Sequence, residues 1–132
     1  MTQSIWKNDV RAHELDVQGI VNNAHYFCYF DHARTLHLKE MNIDWERLSQ
    51  KGLNLVLTHA DIRFSHSLRA FESFEVITTL EKEGRLKLIF KQQIYNKAGT
   101  LICTGTNIVV CVDSKRNKPV AIDSFMESAQ AT

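Results

Sequence analysis

The stretch Asp16 to Arg34, DVQGIVNNAHYFCYFDHAR, decides how the rest of the chain is read. It opens with an acidic residue in a short loop and passes through Gly19, which frees that loop to turn. It then reaches Asn22 and Asn23, either of which suits a helix N-cap, ahead of a long run of helix-compatible residues. A carboxylate is thereby placed beside a helix start. Such a start presents unpaired N–H groups and about half a positive charge, so it can hold an oxygen that becomes negative during a reaction.

Wound as a helix, the run shows two apolar faces. Ala24, Phe27, Cys28, Phe30, Leu38 and Met41 form one, and Tyr26, Tyr29, Ala33 and Leu36 form the other. His25, His32 and Lys39 mark the one wet edge. A helix this apolar is expected to be wrapped by a sheet. Asp31 and Arg34 stand near the first face at a spacing that allows them to pair.

A length of 132 residues suits one domain spanning 1–132, with a core of its own. The net charge is +1, from 16 basic and 15 acidic residues scattered along the chain, which argues against a nucleic-acid or membrane-binding face. No segment has the length and hydropathy of a signal peptide or a membrane span, so a cytoplasmic protein with small-molecule partners or copies of itself is expected. The three cysteines, Cys28, Cys103 and Cys111, form no CxxC pair, which fits a reducing compartment and packing roles.

Around the central helix the pattern is that of strands. Ile5 to His13 reads as a weak first strand. The helix runs from the asparagines to about Met41, Asn42 stops it, and Asp44 caps a short helix, WERLSQ, that ends at Gly52. Beyond Gly52 the period becomes two. Leu55 and Leu57, then Ala60, Ile62 and Phe64, alternate with polar residues but shift phase near His59, which predicts a bulge. Phe74 to Leu80 and Leu86 to Ile94 alternate on either side of the Glu83-Gly84 hairpin signal. NKAG at Asn96 to Gly99 turns the chain into a last strand, Leu101 to Val112, apolar enough to be covered on both faces. Asp113 to Pro119 reads as a polar turn, and the tail from Asp123 as a short, poorly held helix. The class is α+β: an antiparallel sheet with one long helix to cover.

LDVQGIVNNAHYFCYFDHAR resembles the motif D-x-x-G/Q-H-V-N-N-A-x-Y, followed by acidic-x-Ala-Arg, of the hotdog-fold thioesterases. The resemblance is to the branch holding 4-hydroxybenzoyl-CoA thioesterase and the bacterial long-chain acyl-CoA thioesterases, and it extends to the CVD-x-x-x-x-K-P exit at Cys111 to Pro119. Ile20 stands where many relatives have histidine, and Ser67 where they often have proline. The fold implied is a curved antiparallel sheet wrapped around one central helix. The resemblance also implies a homodimer joined edge to edge, commonly paired into a tetramer, with sites where two subunits meet. The activity implied is hydrolysis of an acyl-CoA thioester with no metal or organic cofactor. Asp16 would be nucleophile or general base, and the Asn23 backbone N–H would polarise the carbonyl. Two alternatives stand beside this: hydrolysis of acyl groups from acyl carrier protein, and a hotdog protein that binds acyl-CoA without cleaving it.

Further residues carry two readings each. Gly19 serves the turn of the Asp16 loop and the approach of substrate to it. Tyr26 lines an acyl pocket or packs in the core with its hydroxyl bonded, and Asp31 is a second acid or the partner of Arg34. Lys82, Arg85 and Lys87 surround a hairpin where related enzymes place basic side chains against coenzyme A phosphates; the plain reading is a solvated turn. His59, Asp61 and Arg63 alternate on a strand that, by the resemblance, borders the neighbouring subunit's site. Cys28 near His25 or His32 offers a thiol nucleophile, against which stands its place on an apolar face. No HExxH or Cys/His cluster is present, so no metal is expected.

Overall fold

The computed structural model describes residues 3–130, with the side chains of 128–130 excepted. Strand β1 (Gln3–Asp9) is followed by a turn of 3-10 helix (Ala12–Glu14), the long helix α1 (Asn23–Glu40) and the short helix α2 (Trp45–Gln50). Strands β2 (Leu53–Phe64), β3 (Ser73–Glu83), β4 (Lys87–Asn96) and β5 (Leu101–Asp113) come next, then β6 (Lys118–Val120) and helix α3 (Ile122–Gln130). The strands make one antiparallel sheet in the order β1-β3-β4-β5-β2, with β6 paired to the end of β5.

Local chemistry sets the boundaries of α1. The Asn22 side chain accepts the Ala24 N–H at 2.9 Å, which caps the first turn. At the other end Asn42 adopts φ 60°, a left-handed stop that asparagine tolerates. Asp44 caps α2 by accepting the Arg47 N–H at 3.0 Å. The predicted phase shift in β2 is a register break between Leu57 and His59 against β5.

Four expectations are corrected. The first strand ends at Asp9 rather than His13, because the chain bends into the 3-10 turn before the Asp16 loop. The 113–119 segment is not all turn, since Lys118 and Pro119 already pair with β5. The last helix is anchored by its first turn: Ile122 and Phe125 are fully buried in a cluster with Leu48, Leu80 and Phe90. Finally, within the subunit β5 is buried on alternate residues from Cys103 onward, its outer face being half-exposed rather than covered.

The buried face of α1 is Tyr26, Tyr29, Phe30, Ala33, His37 and Leu38. Phe27 is 45 % exposed and Ala24 and Cys28 are also exposed, so the first of the two faces read from the sequence is split: its N-terminal part is open, while Phe30 and Leu38 are buried. The wet side of the helix is therefore broader than the histidine edge and includes Ala24, Phe27, Cys28 and Asp31. The helix meets the sheet closely at Gly105 of β5, where a Cβ would lie 2.7 Å from the Phe30 ring. Beside it sits a satisfied polar layer. The Gln92 amide donates to the Phe30 carbonyl (3.0 Å) and to Thr78 Oγ1 (3.1 Å), and its oxygen accepts from Asn107 (2.9 Å) and Arg34 (3.3 Å). This layer separates the apolar cluster under the first half of α1 from the one under its second half.

His37 joins α1 to β1 through a 2.7 Å hydrogen bond between Nδ1 and Ser4 Oγ. Burial pushes its pKa down, against the opposing charge of Glu40. A histidine with a depressed folded pKa binds fewer protons folded than unfolded, so its share of stability is complete above the unfolded value of about 6.5 and falls as pH drops through it. The thermal midpoint is expected to be lower at about pH 5.5 than at about pH 7.5, and His37→Asn should flatten that difference. An equal fall in both proteins would place the acid sensitivity elsewhere.

Candidate active site

The loop between the 3-10 turn and α1 closes on itself. Leu15 bridges Val21, the Asp16 N–H donates to Ile20 O (2.8 Å), and the Asn22 N–H donates to Glu14 O (2.8 Å). Gly19, at φ +79°, makes the reversal possible with open space where a Cβ would stand. Val21 N–H donates to Leu68 O at 2.9 Å, which ties the helix entry to the segment before β3. Asp16 and the start of α1 are thus held on adjacent limbs of one small loop.

Asp16 is half-buried. Its Oδ1 accepts the loop amides of Gln18 (2.8 Å) and, more weakly, Ile20 (3.4 Å), while Oδ2 has no hydrogen-bond partner among the described residues. At the helix start the Ala24 N–H is taken by the Asn22 side chain and the His25 N–H by the Asn22 carbonyl, at 2.9 Å each. The Asn23 N–H has no acceptor among the described residues. Asn23 and Tyr26 line a cleft of about 140 Å³ with Phe64, Ser65, His66 and Ser67. Asp16 lines none of the described cavities in the isolated subunit.

Tyr26 is 1 % exposed and its hydroxyl accepts the Leu68 N–H at 3.1 Å, so it packs in the core and shows only part of its ring to the cleft. Burial raises its pKa, helped by the nearby charges of Glu72 and Asp16, which keeps the hydroxyl protonated. Asp31 pairs with Arg34 at 3.3 Å. Burial lowers the Arg34 pKa, against the opposing pull of Asp31. The pair borders two larger grooves, of about 620 Å³ and 280 Å³, that flank the helix toward β2 and share Leu57 as a wall.

The other predicted site residues are not gathered here. Ile62 pairs with Gly105 on the helix side of the sheet, so Asp61 and Arg63, one residue to either side, belong to the opposite face. His59, paired with Ile108, shares that face. Lys82 makes a 2.7 Å ion pair with Asp123, while Arg85 and Lys87 are exposed at the β3–β4 hairpin. This hairpin abuts α3 through the Ile122 N–H to Arg85 O bond (2.9 Å), beyond the C-terminal end of α1. The 18-residue helix is about 27 Å long, so within one subunit these cations stand far from Asp16.

Cys28 is exposed rather than packed, a correction to its expected core role. Burial pushes the Cys103 thiol up to about 12 and the Cys111 thiol up to about 11, which leaves both as inert core groups. Among the described residues no cluster of His, Cys, Asp or Glu could hold a metal ion, and no helix is long and apolar enough to cross a membrane. Glu14, not among the residues expected at the site, has a buried carboxylate that takes bonds from Arg11 and Tyr29. Its one legible signal was an acidic residue two places before Asp16.

Residues 10–130 match the model of the thioesterase-like superfamily. The chain belongs to that family. Its relatives include a putative acyl-CoA thioesterase, YneP, of Bacillus subtilis, 30% identical over 85% of this chain and 81% of the relative. The acyl-CoA thioester hydrolase YbgC of Escherichia coli is 26% identical over 89% of this chain and 87% of that one. Among solved structures, a DHNA-CoA thioesterase from Staphylococcus aureus superposes with a TM-score of 0.88 at 25% identity, covering 97% of this chain and 86% of its own. The curled antiparallel sheet around α1 is the hotdog fold of these thioesterases, as the motif implied. In this thioesterase-like chain Asp16 and the open Asn23 amide lie within the matched region.

Proposed function

We propose that this protein is an acyl-CoA thioesterase in which Asp16 supplies the attacking carboxylate or activates the attacking water, and the Asn23 N–H receives the thioester oxygen. The observation that carries this is the Asn23 amide at the head of α1, without an acceptor among the described residues, on the same closed loop as a carboxylate with one oxygen likewise unpartnered. Negative charge grows on the carbonyl oxygen during attack, and a fixed N–H at a helix start stabilises that charge more than it stabilises the ground state. The thiolate then leaves readily, so no metal is called on to assist. The names of the B. subtilis and E. coli relatives support a coenzyme A thioester as substrate. The near-neutral balance of charge gives no support to docking on an acyl carrier protein. Measuring free thiol release from aromatic, medium-chain and long-chain acyl-CoAs tests the reading; silence with every member of such a panel would leave a binding protein in its place.

The working unit in this reading is a homodimer joined along β2. This strand is an edge of the sheet, 12 residues long, and it exposes Val56 (43%), Leu57 (46%) and Phe64 (50%). A long apolar edge of this kind invites pairing with another chain. Antiparallel pairing of β2 with its copy sets the Phe64 end of one subunit beside the Leu53 end of the other. The helix start of one then faces the end of the partner that carries the β3–β4 hairpin. Arg85 and Lys87, with no acceptor among the described residues, would there meet the phosphates of coenzyme A, whereas Lys82 is already engaged by Asp123. Charging the edge with Val56→Lys and Leu57→Lys is expected to halve the mass seen by sedimentation velocity and to cut thiol release at least tenfold. Full activity in a monomer would refute the shared site.

A further inference from the structure

Among the described residues Glu14 is the one carboxylate that is buried, at 2% exposure, and both of its oxygens are occupied. Oε1 accepts the Arg11 N–H (2.7 Å) and the Tyr29 hydroxyl (2.8 Å), and Oε2 accepts Arg11 Nη2 (2.9 Å) and Nε (3.2 Å). Burial alone would raise its pKa, but the Arg11 amide, the Tyr29 hydroxyl and the Arg11 guanidinium together hold it below the usual carboxylate range. The carboxylate has no oxygen to spare for substrate. Its backbone carbonyl accepts the Asn22 N–H at 2.8 Å, so this one residue grips α1 twice, at the N-cap and again two turns further on through Tyr29.

Two residues later comes Asp16, on a loop that no described residue of the subunit covers from outside: Val17, Gln18 and Gly19 are all exposed, Val17 at 104%. The placement of that loop is therefore set at its ends. We propose that Glu14 is a positioning residue, whose clamp between Arg11 and Tyr29 sets the separation of the Asp16 carboxylate from the Asn23 amide. The inference rests on the catalytic role proposed for Asp16. Charge-assisted hydrogen bonds are the strong class, which suits a buried carboxylate better than a neutral amide for this task. A misplacement of about 1 Å between reacting groups can lower a rate about a hundredfold.

The test compares kcat, KM and thermal midpoint for the full chain and its variants on an acyl-CoA that the wild type hydrolyses. Glu14→Gln is expected to lower kcat about 10- to 100-fold, and Tyr29→Phe about 5- to 20-fold, with KM within about twofold of wild type. Tyr29→Phe leaves the Glu14–Arg11 pair intact, so it reports on the clamp should Glu14→Gln fold poorly. A merely structural role would lower the midpoint and the active fraction while leaving kcat per folded site unchanged. Because the clamp acts through Asp16, Glu14→Gln should add nothing to the loss in Asp16→Asn. Wild-type kcat in folded Tyr29→Phe and Glu14→Gln, or full additivity with Asp16→Asn, would overturn the inference while the Asp16 reading stood. Wild-type kcat in Asp16→Asn itself would bring down that reading first, and this inference with it.

Discussion

Asp16→Asn is expected to lower kcat for thiol release by about a thousandfold, within the range general acid–base groups contribute, and to leave the fold intact. The substitution is nearly isosteric. An amide oxygen can still accept the Gln18 N–H, which Asp16 Oδ1 now accepts at 2.8 Å, so the loop keeps its shape. What is lost is the anionic oxygen that carries no partner among the described residues, and with it both the nucleophile and the base. KM should move little, because nothing in the loop other than this oxygen is altered. Equal turnover by variant and wild type at matched thermal midpoints would remove Asp16 from the mechanism. A loss confined to KM would make it a binding group only.

The second large effect concerns stability. Phe30→Ala is expected to cost about 3–5 kcal/mol and to lower the thermal midpoint by on the order of 10–20 °C. Phe30 is fully buried, its ring lies against Gly105, and its carbonyl accepts the Gln92 amide at 3.0 Å. Gly105→Ala attacks the same contact from the other side. A Cβ 2.7 Å from the ring forces helix and strand apart, at a cost of about 1–3 kcal/mol. In the double variant the methyl at 105 enters the space left by the ring, so the combined loss should fall clearly short of the sum. Denaturant unfolding measures all three. Strict additivity would show that the two residues do not share a packing contact.

Much of the architecture was legible because its signals are local. The asparagine cap, the stop at Asn42, the Asp44 cap, the bulge before His59 and the Glu83-Gly84 hairpin each depend on a few consecutive residues, and each stands where the chain chemistry put it. The loop carrying Asp16 and the helix start after it were legible for the same reason. The 3-10 turn after Asp9 and the pairing of Lys118–Val120 were not, since neither segment has a period to read.

Periodicity by itself determined that α1 would be wrapped, and an acidic loop at its head that a reactive oxygen could lie there. Only the tertiary structure decided which side of the helix is wrapped. Apolar residues surround it, and β1 and β3 cover Tyr29 and His37 while Phe27 and Cys28 stay open. It alone decided, too, that Glu14 would be held by a tyrosine 15 positions away and Gln92 by the Phe30 carbonyl 62 positions away. Partners so distant along the chain leave no trace in spacing, because burying a polar group asks only that some donor or acceptor reach it, whichever element carries it.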